Sequence, residues 1–321
     1  GWHHRRQRRP WSFVLVLPTM LLVYFSFIAS LSQGQAAGDG ITEGRVGKIG
    51  EECSQKDFYD RATHYDDVWG KDVMRPGYYP HLEAEELAQL TTEQAADSLT
   101  HKMIKLAKIT SKDTVLDLGC GRGRSCRTIA EFTGAACTGL DLGTTNIERA
   151  KALALEHPEL QLKFVEGSFT TLPEELLGKF TVVFSQVAFV HVHNELPAIF
   201  QQVQKALAPG GRAVINDYMG GEGLASDEAV RHVYTRLHFD NILGHKAWRR
   251  IVDESDLQLK YYQNLDAHIA YGYRSAAKKA ETLGIISTDG TPLADNYRGT
   301  ADAVDAGHIG MNLALLVQKP F

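Results

Sequence analysis

Residues 115–125 read Val-Leu-Asp-Leu-Gly-Cys-Gly-Arg-Gly-Arg-Ser: an apolar-rich run ends in three glycines spaced two apart, and a helical pattern follows at once. The apolar run has the character of a buried parallel strand. The glycines allow a tight turn with close backbone approach. The helix after them opens with unpaired N–H groups, a natural seat for a polar ligand. Strand, glycine turn and helix in this order hold a nucleotide-like cofactor, and they constrain the surrounding chain to a layered α/β arrangement.

The remainder agrees with that constraint. From residue 113 strands and helices alternate. Strands are expected at 114–118, 136–142, 161–166, 180–186 and 212–216. The helix at 125–132 stops at Gly134. Thr145 and Glu148 form a capping box for the helix that ends before Pro158, and a further helix covers 195–207. Pro209-Gly210-Gly211 turns the chain into the strand at 212–216. This alternation specifies a parallel sheet with helices on both faces. Ahead of it lie an aromatic cluster at 54–82 and a helix over 83–108. Beyond residue 220 come helices at 226–241 and 245–254, a strand at 257–265, a helix at 270–284 and a terminal strand at 310–318.

The first forty residues stand apart. Arg5, Arg6, Arg8 and Arg9 face only Asp39 there, so these residues sum to +3 and the overall charge of −5 leaves −8 on the rest. An acidic body argues against nucleic acid as the main partner. Phe13–Leu31 is almost wholly apolar and is followed by small residues, the pattern of a cleaved signal peptide or a signal anchor. Residues 1–40 are therefore expected to be a targeting or anchoring segment, with membrane association through residues 12–32, and 41–50 a linker. That reading favours a membrane-associated or plastid-type location over a plain cytosolic one. The four cysteines, Cys53, Cys120, Cys126 and Cys137, have no metal-ligand spacing and read as small buried hydrophobes. No metal site is expected.

Which cofactor the turn holds depends on its details. A dinucleotide fingerprint places Gly or Ala at the sixth position for close helix–sheet packing. Counting from Gly119, that position is Arg124. Asp117 precedes the glycines, where its charge repels a pyrophosphate but suits an ammonium. Asp141 lies 22 residues after Gly119, at the end of the next strand, placed to accept both ribose hydroxyls. These features fit S-adenosylmethionine better than a dinucleotide.

VLDLGCGRGRS, TGLDL at 138–142, VEGSF at 165–169, FSQVAFVHV at 184–192 and LAPGGRAVINDY at 207–218 resemble the class I S-adenosylmethionine-dependent methyltransferases, in that family's order and spacing. The resemblance implies a Rossmann-like sheet, mostly parallel with an antiparallel last strand and helices on both faces. It also implies an N-terminal helical cap at 51–110, a cofactor-binding core at 111–220, an acceptor lid at 221–255 and completion of the sheet at 256–321. By the same resemblance Asp117, Gly119 and Gly121 lie along the methionine part of the cofactor, and Asp141 and Leu142 along the ribose. Ser168 and Phe169 flank the adenine, and Gln186 lies beneath the cofactor. Position 168 is commonly Asp in the family; Ser168 can still bond the adenine amino group with less charge assistance.

Ser185–His191, Asp217-Tyr218-Met219 and Arg236–Asp240 resemble the sarcosine/dimethylglycine N-methyltransferases, over about 113–285. Two departures are Val187, where the family usually has an acidic residue, and VWGKDVMRPGYY at 68–79. The resemblance implies transfer of a methyl group to a small amine, yielding glycine betaine. Product cations favour aromatic faces, and Tyr65, Trp69, Tyr78 and Tyr79 are candidates. Tyr65 and Trp69 would close over the cofactor, Tyr78 and Tyr79 over the acceptor; packing of the N-terminal helix on the sheet is the alternative use of the cluster. Arg236 is the candidate for an acceptor carboxylate, and His191 the candidate to orient the acceptor or take a proton. Two other readings stay open: a membrane-borne quinol, sterol or phosphobase acceptor, and a cofactor-binding protein without catalysis.

Overall fold

The computed structural model describes residues 64–319 apart from 74, 84–88, 241 and 288–289. The expected targeting segment and linker lie outside the described residues. Seven strands form one sheet in the order β3-β2-β1-β4-β5-β7-β6. They are β1 Thr114–Leu118, β2 Ala136–Asp141, β3 Leu162–Glu166, β4 Phe180–Gln186, β5 Leu207–Gly220, β6 Leu257–Asn264 and β7 Ile309–Gln318. The first five pair in parallel, and β7 runs antiparallel to both β5 and β6. This is the α/β sheet that the alternation predicts.

The helices are α1 His64–Val68, α2 Thr92–Ala107, α3 Arg124–Thr133, α4 Thr144–Ala154, α5 Leu196–Ala206, α6 Asp227–Ala229, α7 His245–Glu254, α8 Asp266–Leu283 and α9 Leu293–Asp305. Both sheet faces are covered because successive strand residues point to opposite sides. Val115, Val182 and Phe184 join Leu99, Met103 and Tyr273 in one layer. Leu116 and Val183 join Phe200, Trp248 and Leu257 in the other.

Some boundaries differ from the sequence reading. Of the helix expected over 83–108, the described residues hold α2, opened by a capping box between Thr91 and Gln94. Thr145 and Glu148 form no such box, since α4 begins at Thr144 with Gly143 as its cap. Pro209-Gly210-Gly211 bulges within β5: Phe180 pairs with Leu207, and two residues on Val182 pairs with Arg212. The helical stretch expected over 226–241 is the short α6 continued by a π-helical turn, Val230–Thr235. Helix α9 was not anticipated. Its buried face includes Asn296, Thr300 and several alanines, which give little apolar signal. Among the described residues no helix is long and apolar enough to cross a membrane.

Candidate cofactor and acceptor cavity

The turn after β1 leaves Gly119, Gly121 and Gly123 with φ of 75°, 52° and 75°, in the left-handed region that glycine adopts without strain. A Cβ on Gly119 would meet the Cβ of Ala188 at 2.3 Å, so the loop after β4 closes directly on the turn. The backbone N–H groups of Gly119 and Cys120 donate to the carbonyl of Leu140, at 2.8 and 3.0 Å. Asp141 accepts from the N–H of Gly121 through one oxygen (2.8 Å) and from that of Gly143 through the other (2.9 Å). The amide of Asn146 donates to the second oxygen at 3.2 Å.

A single cavity runs along this turn. Asp117, Gly119, Gly121, Asp141, Leu142, Ser168, Phe169, Gln186 and His191 all line it, which brings together nine of the residues singled out from sequence. They converge because each sits at the carboxyl end of a parallel strand or just beyond it, where α/β folds bind ligands. Ser168 shares a hydrogen bond with the Thr170 hydroxyl at 2.8 Å, and the ring of Phe169 packs edge-on to Phe189 at 5.2 Å.

Burial sets the electrostatics. Asp117 is almost completely buried, and loss of solvation pushes its carboxyl up to about 7, against the opposing pull of Arg75. The thiol of Cys126 donates to it at 3.6 Å. Gln186 is also buried, with its Oε1 accepting from the hydroxyls of Thr100 (3.0 Å) and Ser125 (2.8 Å). Arg75 Nη2 donates in turn to Thr100 Oγ1 at 2.8 Å. Burial lowers the Arg75 guanidinium to about 10, so it stays a cation at neutral pH.

Val187, Ala188, His191 and Val192, from the segment after β4, also line the cavity. Val187 has φ of 54°, an outlying backbone conformation for a β-branched residue. His191 is part-buried, with its ring 5.5 Å from that of Phe239. Burial first, and His238 second, depress its imidazole to about 4, so it is neutral at pH 7. The 3-10 segment Phe189–Glu195 that carries it is held from below by Asp217, which accepts the Val190 N–H at 2.9 Å.

Four expected ligand-facing residues do other work. Trp69 is buried, donates to the Tyr297 hydroxyl at 3.0 Å and packs edge-on to Tyr273. Tyr78 lies against His268 and bonds Glu83. Tyr79 is buried against Tyr271 and His81. Arg236 bonds the His232 carbonyl at 2.8 Å and the Thr300 hydroxyl at 3.0 Å, with its guanidinium over the rings of Tyr273 and Tyr297. None of the four lines the cavity; the apolar bodies of their side chains made core positions the stronger competitor. The side chain of Tyr65 lies outside the described residues.

Conversely, Asp72, Arg75, Arg122, Arg124 and Asn146 line the cavity without having been singled out as ligands. The strap before α2 is tied to the glycine turn by the Arg122–Asp66 pair at 3.0 Å, and α2 itself by Arg124–Asp97 at 2.7 Å. Asp72 sits 3.7–3.9 Å from Arg122, Arg127 and Arg149. For Asp72 and Arg75 the available signal was the departing segment VWGKDVMRPGYY, and for Arg122 and Arg124 the glycine motif that holds them. Among the described residues no group of three or more His, Cys, Asp or Glu side chains is placed to hold a metal ion.

Comparison with known proteins bears on the same region. Residues 115–211 match the family described as "Methyltransferase domain". A glycine/sarcosine/dimethylglycine N-methyltransferase from Actinopolyspora halophila is 27% identical over 225 residues, 68% of this chain and 38% of that protein. A sterol 24-C-methyltransferase from Debaryomyces hansenii is 30% identical over 189 residues, 55% of this chain and 48% of that protein. The chain thus spans about two-fifths to one-half of the length of these curated relatives. Geranyl diphosphate C-methyltransferase from Streptomyces coelicolor A3(2), solved with Mg2+, geranyl diphosphate and S-adenosyl-L-homocysteine, aligns with a TM-score of 0.66 at 16% identity. It covers 82% of this chain and 97% of its own. At that identity the likeness shows the fold. The core from β1 to β5 therefore resembles the class I methyltransferases as its motifs indicate, and S-adenosylmethionine is the cofactor that resemblance carries.

Proposed function

We propose that this chain is an S-adenosylmethionine-dependent methyltransferase acting on a small amine such as sarcosine or dimethylglycine, with glycine betaine as the end product. The observation that carries the reading is that one cavity is lined both by Asp117 and Asp141 and by Val187, Ala188 and His191. The residues fit the cofactor: the backbone at Gly119 leaves no room for a side chain, and a buried carboxyl and a braced carboxylate lie on either side of it. Asp117 would take the ammonium, Asp141 the ribose hydroxyls and Ser168 the adenine amino group. The Asp141 oxygen that accepts from Gly121 keeps a second lone pair, while the other accepts from both Gly143 and Asn146.

When bound, the cofactor would supply a sulfonium methyl to an attacking lone pair and leave as a thioether. The chain's own contribution is orientation and exclusion of water. A dry wall of Val187, Ala188 and Val192 disfavours an ammonium, so an amine held there keeps its lone pair. His191, neutral at pH 7, can accept the proton that a secondary amine carries once it is methylated.

The same apolar wall, with 30% identity to a sterol 24-C-methyltransferase, favours a lipid-like acceptor as a second reading. Full-length protein given labelled cofactor and a panel of amines, quinols, sterols and phosphobases separates the readings. Label in sarcosine or dimethylglycine supports the first, and label in a sterol or quinol supports the second. Cofactor binding without transfer to any acceptor would leave a binding protein and refute both.

A further inference from the structure

Two hydrogen-bond donors on the cavity wall are buried and have no partner among the described residues: Arg75 Nε and Gln186 Nε2. Their orientation is fixed by the groups behind them. Thr100 Oγ1 accepts from Arg75 Nη2, so its own proton must go elsewhere, and both Gln186 Oε1 and the Ala96 carbonyl are within reach. Ser125 donates to the same Gln186 oxygen. With its oxygen end occupied by two hydroxyls, Gln186 turns its NH2 end toward the cavity. Neither residue is more than 9% exposed.

The charge around this donor pair is unbalanced. Arg75 forms no ion pair within 4.0 Å among the described residues, because Asp97, the carboxylate that most offsets its burial, is taken by the fork of Arg124 at 2.7 and 2.9 Å. Asp117, the other nearby acid, is held largely protonated by its own burial below pH 7. A buried guanidinium without a counter-charge is costly, and a ligand that brings one removes the cost. Two donors with fixed directions match an acceptor with two oxygens.

The geometry points to Arg75 and Gln186 as a built seat for one carboxylate. This rests on the methyltransferase reading and deepens it. Two ligands of that reaction carry such a group: the aminoacyl end of the cofactor and an amino-acid acceptor. Arg75 lies on the segment 68–79 that departs from the family pattern, and Gln186 ends β4 beside it.

The test uses the full chain and two cofactor products, S-adenosylhomocysteine and methylthioadenosine, which lacks the aminoacyl end. Binding is measured by titration calorimetry for wild type, Arg75→Gln and Gln186→Met, with thermal unfolding as the folding control; Gln186→Met keeps the volume if Arg75→Gln does not fold. Loss of about tenfold or more in S-adenosylhomocysteine affinity, with methylthioadenosine unchanged, assigns the seat to the cofactor. Unchanged S-adenosylhomocysteine affinity with a similar loss in sarcosine binding to the loaded protein assigns it to the acceptor. The seat is refuted if both products weaken equally. It is also refuted if S-adenosylhomocysteine is unaffected while sarcosine binding is absent or unchanged. A wild-type protein that binds neither product overturns the methyltransferase reading itself.

Discussion

Gly121 donates its backbone N–H to Asp141 at 2.8 Å, so the carboxylate at the end of β2 braces the turn at the end of β1. The other oxygen of Asp141 does the same for Gly143 at the start of α4. One side chain thereby ties two strand ends into a single rim, with the cavity between them.

Asp141→Ala is expected to weaken S-adenosylhomocysteine binding by about 1.5–3 kcal/mol, the range for hydrogen bonds to a charged group. It should also lower the melting temperature, because two backbone donors lose their acceptor. Calorimetry on the variant decides the point; an unaltered dissociation constant would remove Asp141 from the ligand site.

Cofactor affinity should depend on pH through Asp117. Its carboxyl is pushed up to about 7, so it is largely neutral at pH 6 and charged at pH 8. A ligand ammonium favours the charged form, so binding should tighten from pH 6 to 8 and release a proton as it does. Asp117→Asn should flatten this profile, and a profile unchanged by the substitution counts against the contact.

The stability of the ligand-free protein has its own pH signature. Asp217 is pushed up to about 8 by burial. The folded state therefore holds a proton that the unfolded state has lost, and stability falls as pH rises from about 4 to 8. His191 and His193, pushed down by burial to about 4 and about 3, work the other way, adding stability as pH rises toward the unfolded value of 6.5. The opposing slopes offset each other below 6.5, and the carboxyls alone act above it. Urea unfolding at pH 6.5 and 8.5 should show the higher value at 6.5, with the gap reduced in Asp217→Asn.

Val187 holds a left-handed backbone with a β-branched side chain on the cavity wall. Asn tolerates that conformation, so Val187→Asn should raise stability by about 1 kcal/mol. A polar side chain there also wets the acceptor wall, and methyl transfer should slow. A variant that is less stable than wild type in urea would show that packing of the valine outweighs its strain.

Arg236→Ala should act on the fold and leave ligand binding alone. It removes bonds to the His232 carbonyl and Thr300 and a cation over Tyr273 and Tyr297. The melting temperature should drop while S-adenosylhomocysteine affinity holds. A loss of sarcosine binding in the folded variant would restore it as an acceptor residue.

Of the nine cavity-lining residues singled out from sequence, Leu142, Ser168, Phe169 and Gln186 were legible through the family resemblance and His191 by its place after the fourth strand. Asp117, Gly119, Gly121 and Asp141 follow local rules. A strand end followed by glycines, or an acid one strand later, is written within a few residues. Trp69, Tyr78, Tyr79 and Arg236 were not legible in this way. Their partners are Tyr297, His268, Tyr271 and Thr300, which local pattern cannot pair with them. Aromatic and cationic residue types suggested ligand contact, and the tertiary packing uses them as core. Arg75 is the reverse case: a charged residue reads as surface until Thr100 and Gln186 are seen behind it.

The place of β7 between β5 and β6 bears on the order in which a growing chain can assemble. Strands β1 to β4, with the glycine turn, Asp141 and Gln186, are all synthesised by residue 186 and need no later strand as a neighbour except β5 beside β4. β5 gains its other neighbour only when residues 309–318 emerge, and the Asp217 N–H finds its acceptor on Asn312 in that strand. Ribosome-stalled chains ending before β7 should therefore resist protease around the glycine turn while remaining open around Asp217. During synthesis, the rim that Asp141 ties together would be in place before the Asp217 brace beneath Phe189–Glu195 is complete.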